Sequence, residues 1–334
     1  MALKILVSGP LTTVQDQGRT ATQSSGFSVS GVMDQDAANV ANRLVGNGLD
    51  AAVLESSLQG PTLTFTQSSH FAVTGANATV TLNGQPIQAY RSYFARRGDK
   101  LAIGIYTTGR FGYLAVSGGI QVPVVMGSRS TSLRYQLGGY HGRQLQAGDL
   151  LQTVRDVIDH PAYQQATAYP YSQEAITKIR VTPGPQARDF PSQQRQQFTH
   201  QTFEISQQSD RMGARLSGTA IDTSRVAEML SEGTVLGGIQ MPRSGQPIVL
   251  LADRQTTGGY PVIAVVARVD LPKLVQLVPG QQLQFQWLDS EAGQRLYTQQ
   301  CGSVTAIETT HQFRTVPITT RQVADRVATL FAHK

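Results

Sequence analysis

The chain has 334 residues, 40% of them hydrophobic and 15% charged, a mixture too apolar for disorder and too even for collagen or coiled coil. Its net charge of +6 comes almost wholly from arginine, since only five of its 28 Lys and Arg are lysine, and no basic run exceeds two residues. This scatter argues against a nucleic-acid partner, because dispersed arginine suits fixed contacts to carboxylate or phosphate better than a backbone-tracking stripe. The opening MALKILVSGP has apolar runs of only three residues, and no later run approaches the roughly 18 residues of a membrane span, so neither signal peptide nor membrane anchor is expected. One cysteine, Cys301, forms no intrachain disulfide and no cysteine zinc site, which points to a reducing cytoplasm.

Taken along the chain, short β-branched stretches lie between Gly, Pro, Asn and Asp: 4–7, 70–74, 79–82, 100–105 and 111–116. They predict an antiparallel β unit with tight turns. Asn83-Gly84 marks a hairpin between 79–82 and 87–94. A helix is predicted from Asp34, with Ala37, Val40, Ala41 and Leu44 on one face and Gly46 at its end. Residues 153–174 are polar and interrupted by Pro, which predicts a linker between units at 1–160 and 175–334. In the second unit a helix over 270–277 is expected, with Asp270 as N-cap and Pro279-Gly280 as stop, and 321–331 reads as a closing helix. An internal echo pairs SGVMDQDAANVANRLVG from Ser30 with SDRMGARLSG from Ser209, and LESSLQGP from Leu54 with LSEGTVLGG from Leu230, which suggests two related β units.

Motifs of several chemistries are absent. There is no G-x-x-x-x-G-K-[ST], no G-x-G-x-x-G, no G-x-S-x-G and no H-E-x-x-H, and the six histidines stand apart. A P-loop, a Rossmann site, a serine hydrolase elbow and a protein-bound metal are therefore not expected. No Met-Lys pair offers a covalent biotin site, so any biotin would be carried by another chain.

A dense series of polar and glycine motifs identifies a resemblance. These are GPLTTVQDQGR from Gly9, SGVMDQDAANVANRLVGN from Ser30, LESSLQGPTLTF from Leu54, TGANATVTLNG from Thr74, YLAVSGGIQVPVVMGSRST from Tyr113 and GGYHGRQLQAGDLL from Gly138. The second half adds VTPGPQARDF from Val181, SDRMGARLSG from Ser209 and SEGTVLGGIQMPRSGQPIVLLADRQTTGGYPVIAVVARVDL from Ser231. Over about residues 3–287 the chain resembles the allophanate hydrolase subunit 2 family, also called the biotin-dependent carboxyltransferase family, to which the C-type subunits of 5-oxoprolinase belong. Ser28 stands where relatives often carry Pro, and Thr20-Ala21 lack a common Gly.

The resemblance implies a mainly β fold with two cyclophilin-like β-barrel domains. It implies a subunit of an ATP-dependent 5-oxoprolinase, opening 5-oxoproline to glutamate with a subunit 1-like partner, of the Kip type or the B type of 5-oxoprolinase subunit, and with a third subunit. ATP would be the cofactor of the complex. Two alternatives stay open: a carboxyltransferase half moving a carboxyl group from carboxybiotin to urea or a related amide, and a non-catalytic Kip-type regulatory module.

Among single residues, Asp253, Arg254, Gln255, Thr256, Thr257 and Tyr260 form the densest polar cluster, directly after the apolar PIVLLA. A strand end positions functional groups, and with the resemblance this assigns Asp253 and Arg254 to catalysis and the other four to substrate binding. The structural alternative is a turn capped by Asp253, with Arg254 paired at the surface. Asp34, the third residue assigned to catalysis, reads equally as an N-cap and as a fixed carboxylate that accepts a substrate amide N–H. Arg211 and Gln240 are candidates for gripping a carboxylate or carbonyl, with a surface ion pair and an edge-strand amide as their structural alternatives. The glycine-rich segments 117–120, 127–131 and 138–143, with Arg129 and Arg143, read as anion cradles or as ordinary β turns.

Overall fold

The structure is a computed structural model that describes residues 3–153, 162–163, 174–227, 229–309 and 314–315. A ten-stranded antiparallel sheet takes all its strands from residues 3–153. Its spine runs through Leu11–Gln15, Val53–Ser57, Lys100–Val116, Thr62–Phe65, Leu3–Val7, Leu150–Thr153 and Ile120–Gln121. The long strand Ser69–Leu82 lies along Lys100–Val116 and also pairs with Gln85–Ile87 and Ser92–Ala95. The second sheet is a closed barrel of seven strands, ordered Ile176–Pro183, Val262–Val266, Gly238–Gln240, Ile248–Leu250, Gly213–Ser217, Phe203–Ile205 and Gln282–Trp287. The last strand closes it by pairing parallel to the first. The molecule is therefore mainly β with two barrel-like sheets, as expected.

Period-2 alternation explains why the first unit has two apolar faces. In the strand Val53–Ser57 every residue is buried. Leu54 enters the interior of the first sheet, while Val53 joins an apolar cluster that runs on into the second barrel. The neighbouring strand repeats the pattern: Leu114 and Val116 point inward, whereas Phe111, Tyr113 and Ala115 face the second barrel. The helix Gln35–Leu44 lies in the same junction, with Ala37, Ala38 and Ala41 in the shared cluster, and the side chain of Asp34 caps the Ala37 N–H at 3.0 Å. At the far side of the barrel, Phe198 stacks on Phe285 with ring centroids 4.6 Å apart, near Phe203 and Trp287. These aromatics anchor the helix Ser192–His200.

The hairpin at Asn83-Gly84 is present, with φ of 53° and 79° at the two turn residues and Leu82 facing Gln85, as a two-residue turn matching the strand twist requires. Other expectations need correction. Residues 70–74 and 79–82 belong to one strand, as do 100–105 and 111–116, because Gly75 and Gly109 sit at positive φ inside continuous, irregular pairing. The stretch 87–94 is split between two short strands. Asp270 does not cap its helix, which spans only Leu271–Val275; the carboxylate accepts from the backbone N–H and guanidinium of Arg180. The echoed segments fold differently, a helix after Ser30 and a strand Gly213–Ser217 after Ser209, so the first echo is not a structural repeat. The sequence reading missed the helices Ser192–His200 and Ser290–Thr309. The closing helix expected over 321–331, and nearly all of the linker expected over 153–174, lie outside the described residues.

Candidate functional site between the two β units

Strand register brings together the polar groups that the apolar junction would otherwise exclude. Glu55 and Tyr113 are directly opposed on paired strands, both on the face toward the second barrel. The Tyr113 hydroxyl donates to Glu55 Oε2 at 2.9 Å and accepts from the Asp34 N–H at 2.7 Å, while the Met33 N–H donates to the same Glu55 oxygen at 2.7 Å. From the second unit Arg211 donates to Glu55 Oε1, to Asp253 Oδ2 at 2.8 Å and to the Gly31 carbonyl at 2.6 Å. Burial alone would weaken the charge on Arg211, but the carboxylates of Asp253 and Glu55 outweigh it and hold the guanidinium above its ordinary pKa. Burial pushes the Glu55 carboxyl up, against Arg211, the Met33 N–H and the Tyr113 hydroxyl, which all favour the carboxylate. Tyr113 is raised well above the usual phenol value, by burial and then by the charges of Glu55 and Asp34, so it remains a donor.

Asp34 completes this brace. Its Oδ1 caps the helix and its Oδ2 accepts from Gln276 Nε2 at 2.9 Å. The Gln276 amide also receives the N–H groups of Arg110 and Phe111 and donates to the Phe111 carbonyl. Of the three residues assigned to catalysis, Asp34 has its carboxylate engaged in a tie between the units through Gln276, while the Asp253 carboxylate is held within the second unit by Arg211, which itself reaches Glu55 and Gly31 of the first. Their nearest chemistry is with each other.

Arg254 is different. It follows Asp253 directly and lines a cleft of about 620 Å³ between the units. The cleft lining includes Arg43, Arg254 and Arg268 but a single carboxylate, Asp36, so its charge favours an anionic guest. Asp36 is raised from the usual carboxyl value by burial, against a hydrogen bond from Gln300 and the charge of Arg268. The apolar part of the lining comes from Val32, Met33, Leu236, Leu251, Leu271 and Val275. An apolar cleft with a few convergent polar groups at a domain junction has the form of a small-molecule site.

The other predicted residues do not converge on this cleft. Gln240 is buried and its Oε1 accepts from Gln255 Nε2 at 3.3 Å, an internal amide pair. Thr256 contributes its carbonyl to the Thr234 N–H, and Thr257 lies in a small ribbon with Glu232–Gly233. Tyr260 is exposed and lines a separate hollow of about 220 Å³ with Met229, Met241 and Arg243. The segment 127–131 does cradle an anion, but that anion is Asp16. Its carboxylate accepts from the Arg129 N–H at 2.5 Å, from Ser128 and Ser130 hydroxyls at 2.6 Å each, and from the Gly18 N–H at 2.8 Å. Arg143 forms a two-point pair with Asp149, both bonds at 2.8 Å, which closes the turn at Gln146. The backbone cradle is thus filled by the chain's own carboxylate, and the Arg143 guanidinium is paired with Asp149.

Sequence reasoning missed Glu55, Tyr113, Gln276, Ser30 and Asp36. A charged residue directly after the apolar AAVL was the one available signal, since a carboxylate in a fully buried strand must be paired. Ser28, the departure from the family pattern, donates to the Arg254 carbonyl at 2.7 Å and ties the loop before the first helix to the strand end.

The signature "Carboxyltransferase domain, subdomain A and B" matches residues 25–287, which contain Glu55, Arg211, Asp253 and most of the residues lining the cleft. The chain belongs to the carboxyltransferase domain family. It is 38% identical to the C subunit of 5-oxoprolinase from Escherichia coli over 283 residues, covering 85% of this chain and 90% of that protein. It is 32% identical to urea amidolyase of Lachancea kluyveri over 331 residues, or 92% of this chain but 18% of that much longer protein. The crystal structure of Kluyveromyces lactis urea amidolyase superposes with a TM-score of 0.82 at 31% identity, covering 92% of this chain and 20% of that one. Family membership confirms the resemblance drawn from the motifs. Among the described residues no helix is long and apolar enough to cross a membrane, and no group of three His, Cys, Asp or Glu residues could hold a metal ion.

Proposed function

We propose that this chain is a subunit of an ATP-dependent 5-oxoprolinase, working with a subunit 1-like protein and a third subunit in the cytoplasm to open 5-oxoproline to glutamate. The observation that carries this reading is the 38% identity to the C subunit of 5-oxoprolinase, over nine-tenths of that protein, against 32% to urea amidolyase. The cleft supports it chemically: its lining is cationic and part apolar, suited to a small ring that bears a carboxylate. A lactam resists water because its carbonyl carbon is a poor electrophile. Transfer of the terminal phosphoryl group of ATP to the lactam oxygen releases ADP and activates that carbon. Water then adds, the ring C–N bond breaks with the nitrogen leaving as an amine, and a second water releases phosphate from the acyl phosphate. Arginine side chains stabilise the charge that develops. Within this chain Arg254 and Arg268 are cleft cations suited to such a task, whereas Arg129 and Arg143 do not line the cleft and Arg143 is paired with Asp149.

A second reading is carboxyl transfer from carboxybiotin, carried by another chain, to urea or a similar amide. It draws on the superposition with urea amidolyase over 92% of this chain. The deciding experiment is co-expression with the partner subunits, followed by measurement of glutamate formed from 5-oxoproline and ATP. Turnover by the complex, its loss when this chain is left out, and inactivity of this chain alone are expected, with an inter-subunit interface on the order of 1,200 Å² or more. Carboxylation of urea by the complex when carboxybiotin is supplied, with release of biotin and no need for ATP, would favour the second reading, and full turnover without this chain would favour a regulatory module.

A further inference from the structure

Two polar groups in the cleft have no hydrogen-bond partner among the described residues although both are buried: Arg254 Nε and Ser30 Oγ. Arg254 is 7% exposed and Ser30 4%. The remaining guanidinium contacts of Arg254 are long, 3.3 Å from Nη1 to the Leu251 carbonyl and 3.2 Å from Nη2 to Gln23 Oε1, and neither acceptor carries charge. Asp253, one residue away, is already committed to Arg211. Ser30 stands at φ 57°, a left-handed backbone that serine seldom adopts, and its N–H is fixed by the Ala252 carbonyl at 3.0 Å.

A buried cation without a counter-ion is costly unless a ligand supplies the charge, and the same holds for a buried hydroxyl without an acceptor. We propose that Arg254 and Ser30 form the two-point grip for the carboxylate of the small amide substrate, Arg254 through its Nε edge and Ser30 through its hydroxyl. This deepens the 5-oxoprolinase reading and rests on it for the identity of the substrate. An arginine edge presents parallel N–H donors that match the two oxygens of a carboxylate. Burial lowers the pKa of Arg254, yet guanidinium remains charged in proteins, so the grip stays cationic across the working pH range. The left-handed backbone at Ser30 has a purpose under this assignment: glycine would sit there with less strain, and the serine is retained for its hydroxyl.

The test compares Arg254→Gln, Arg254→Lys and Ser30→Gly. In the assembled complex Ser30→Gly should raise KM for 5-oxoproline about tenfold and leave kcat within twofold, while its melting temperature stays level or rises. Arg254→Gln should raise KM about 100-fold, with Arg254→Lys between the two. The carboxamide of 5-oxoproline, which lacks the negative charge, should compete poorly with 5-oxoproline for wild type, about as well as 5-oxoproline for Arg254→Gln, and to an intermediate degree for Arg254→Lys. If 5-oxoproline turns over normally but KM is unchanged in Ser30→Gly and Arg254→Gln, the grip is overturned and the 5-oxoprolinase reading stands. If the complex has no 5-oxoprolinase activity, calorimetric titration of the full chain with acetate and with inorganic phosphate decides separately. Saturable acetate binding that both variants lose supports the grip. Preferential phosphate binding, or no binding of either anion, overturns it.

Discussion

Asp253 and Arg254 are neighbours in sequence and both are buried, yet they serve opposite electrostatic situations. Asp253 itself has a charged partner: Arg211 lies between Asp253 and Glu55, and Tyr113 and Met33 supply further donors to Glu55. Around Arg254 no carboxylate is within ion-pair distance among the described residues, and the residue lines a cleft. The difference teaches how to separate charges that hold a structure together from charges that await a ligand. Burial and motif density are the same for both; the count of partners is not.

The sharpest break of this comparison is Arg211→Met. It leaves two buried carboxylates without a counter-ion and should cost about 3–5 kcal/mol in denaturant unfolding, with loss of the complex following loss of the fold. Adding Glu55→Gln to it should recover part of that loss. The same Met placed at 254 removes an unpaired cation and should leave stability nearly unchanged. Comparable destabilisation at 211 and 254 would erase the distinction.

An intermediate effect is expected at Asp270, whose fully buried carboxylate pairs with Arg180 and Lys273. Burial alone would raise its pKa, but the hydrogen bonds from Arg180 and the charge of Lys273 more than compensate and hold it below the ordinary value. A depressed folded pKa means the pair stabilises fully above the unfolded value of about 3.9 and loses that contribution as pH falls through the folded value. Asp270→Asn should therefore cost about 2 kcal/mol at pH 7, and the gap to wild type should close below about pH 4. A gap that stays constant down to pH 2 would show that packing, not ionisation, carries the effect. The smallest effect belongs to Arg143→Gln. Its guanidinium is about one-third exposed, so loss of the Asp149 pair should cost less than about 1 kcal/mol and leave turnover of the complex unchanged.

Much of the architecture is visible in the chain because it depends on local signals. The Asn83-Gly84 turn needs two residues that accept positive φ, and the first helix needs only its cap and its apolar spacing. The long strands read as broken because Gly75 and Gly109 carry turn chemistry, and only the pairing of 69–82 with 100–116 shows that they are irregularities within a continuous ladder. The site is legible in membership and not in roles. Asp253, Arg254, Arg211 and Asp34 do gather at one junction, but which of them is occupied depends on Glu55, 156 positions from Arg211, and on a tyrosine from another strand. No spacing rule connects such residues. The cradle 127–131 shows the same limit, since its shape is readable while its occupant, Asp16, comes from 112 or more positions earlier.

Gln276 carries a consequence for motion. Both ends of its amide are fastened, Oε1 by two N–H groups of the first unit and Nε2 by Asp34 and the Phe111 carbonyl, and a Cβ at Gly109 would stand 2.9 Å from that Oε1. A hinge between the halves would have to break all four bonds together with the Arg211 pairs. The two units are thereby fastened to each other at the junction, so relative rotation of the halves would break several buried hydrogen bonds at once, whereas a side chain such as Tyr297 on the helix bordering the cleft can change rotamer without that cost.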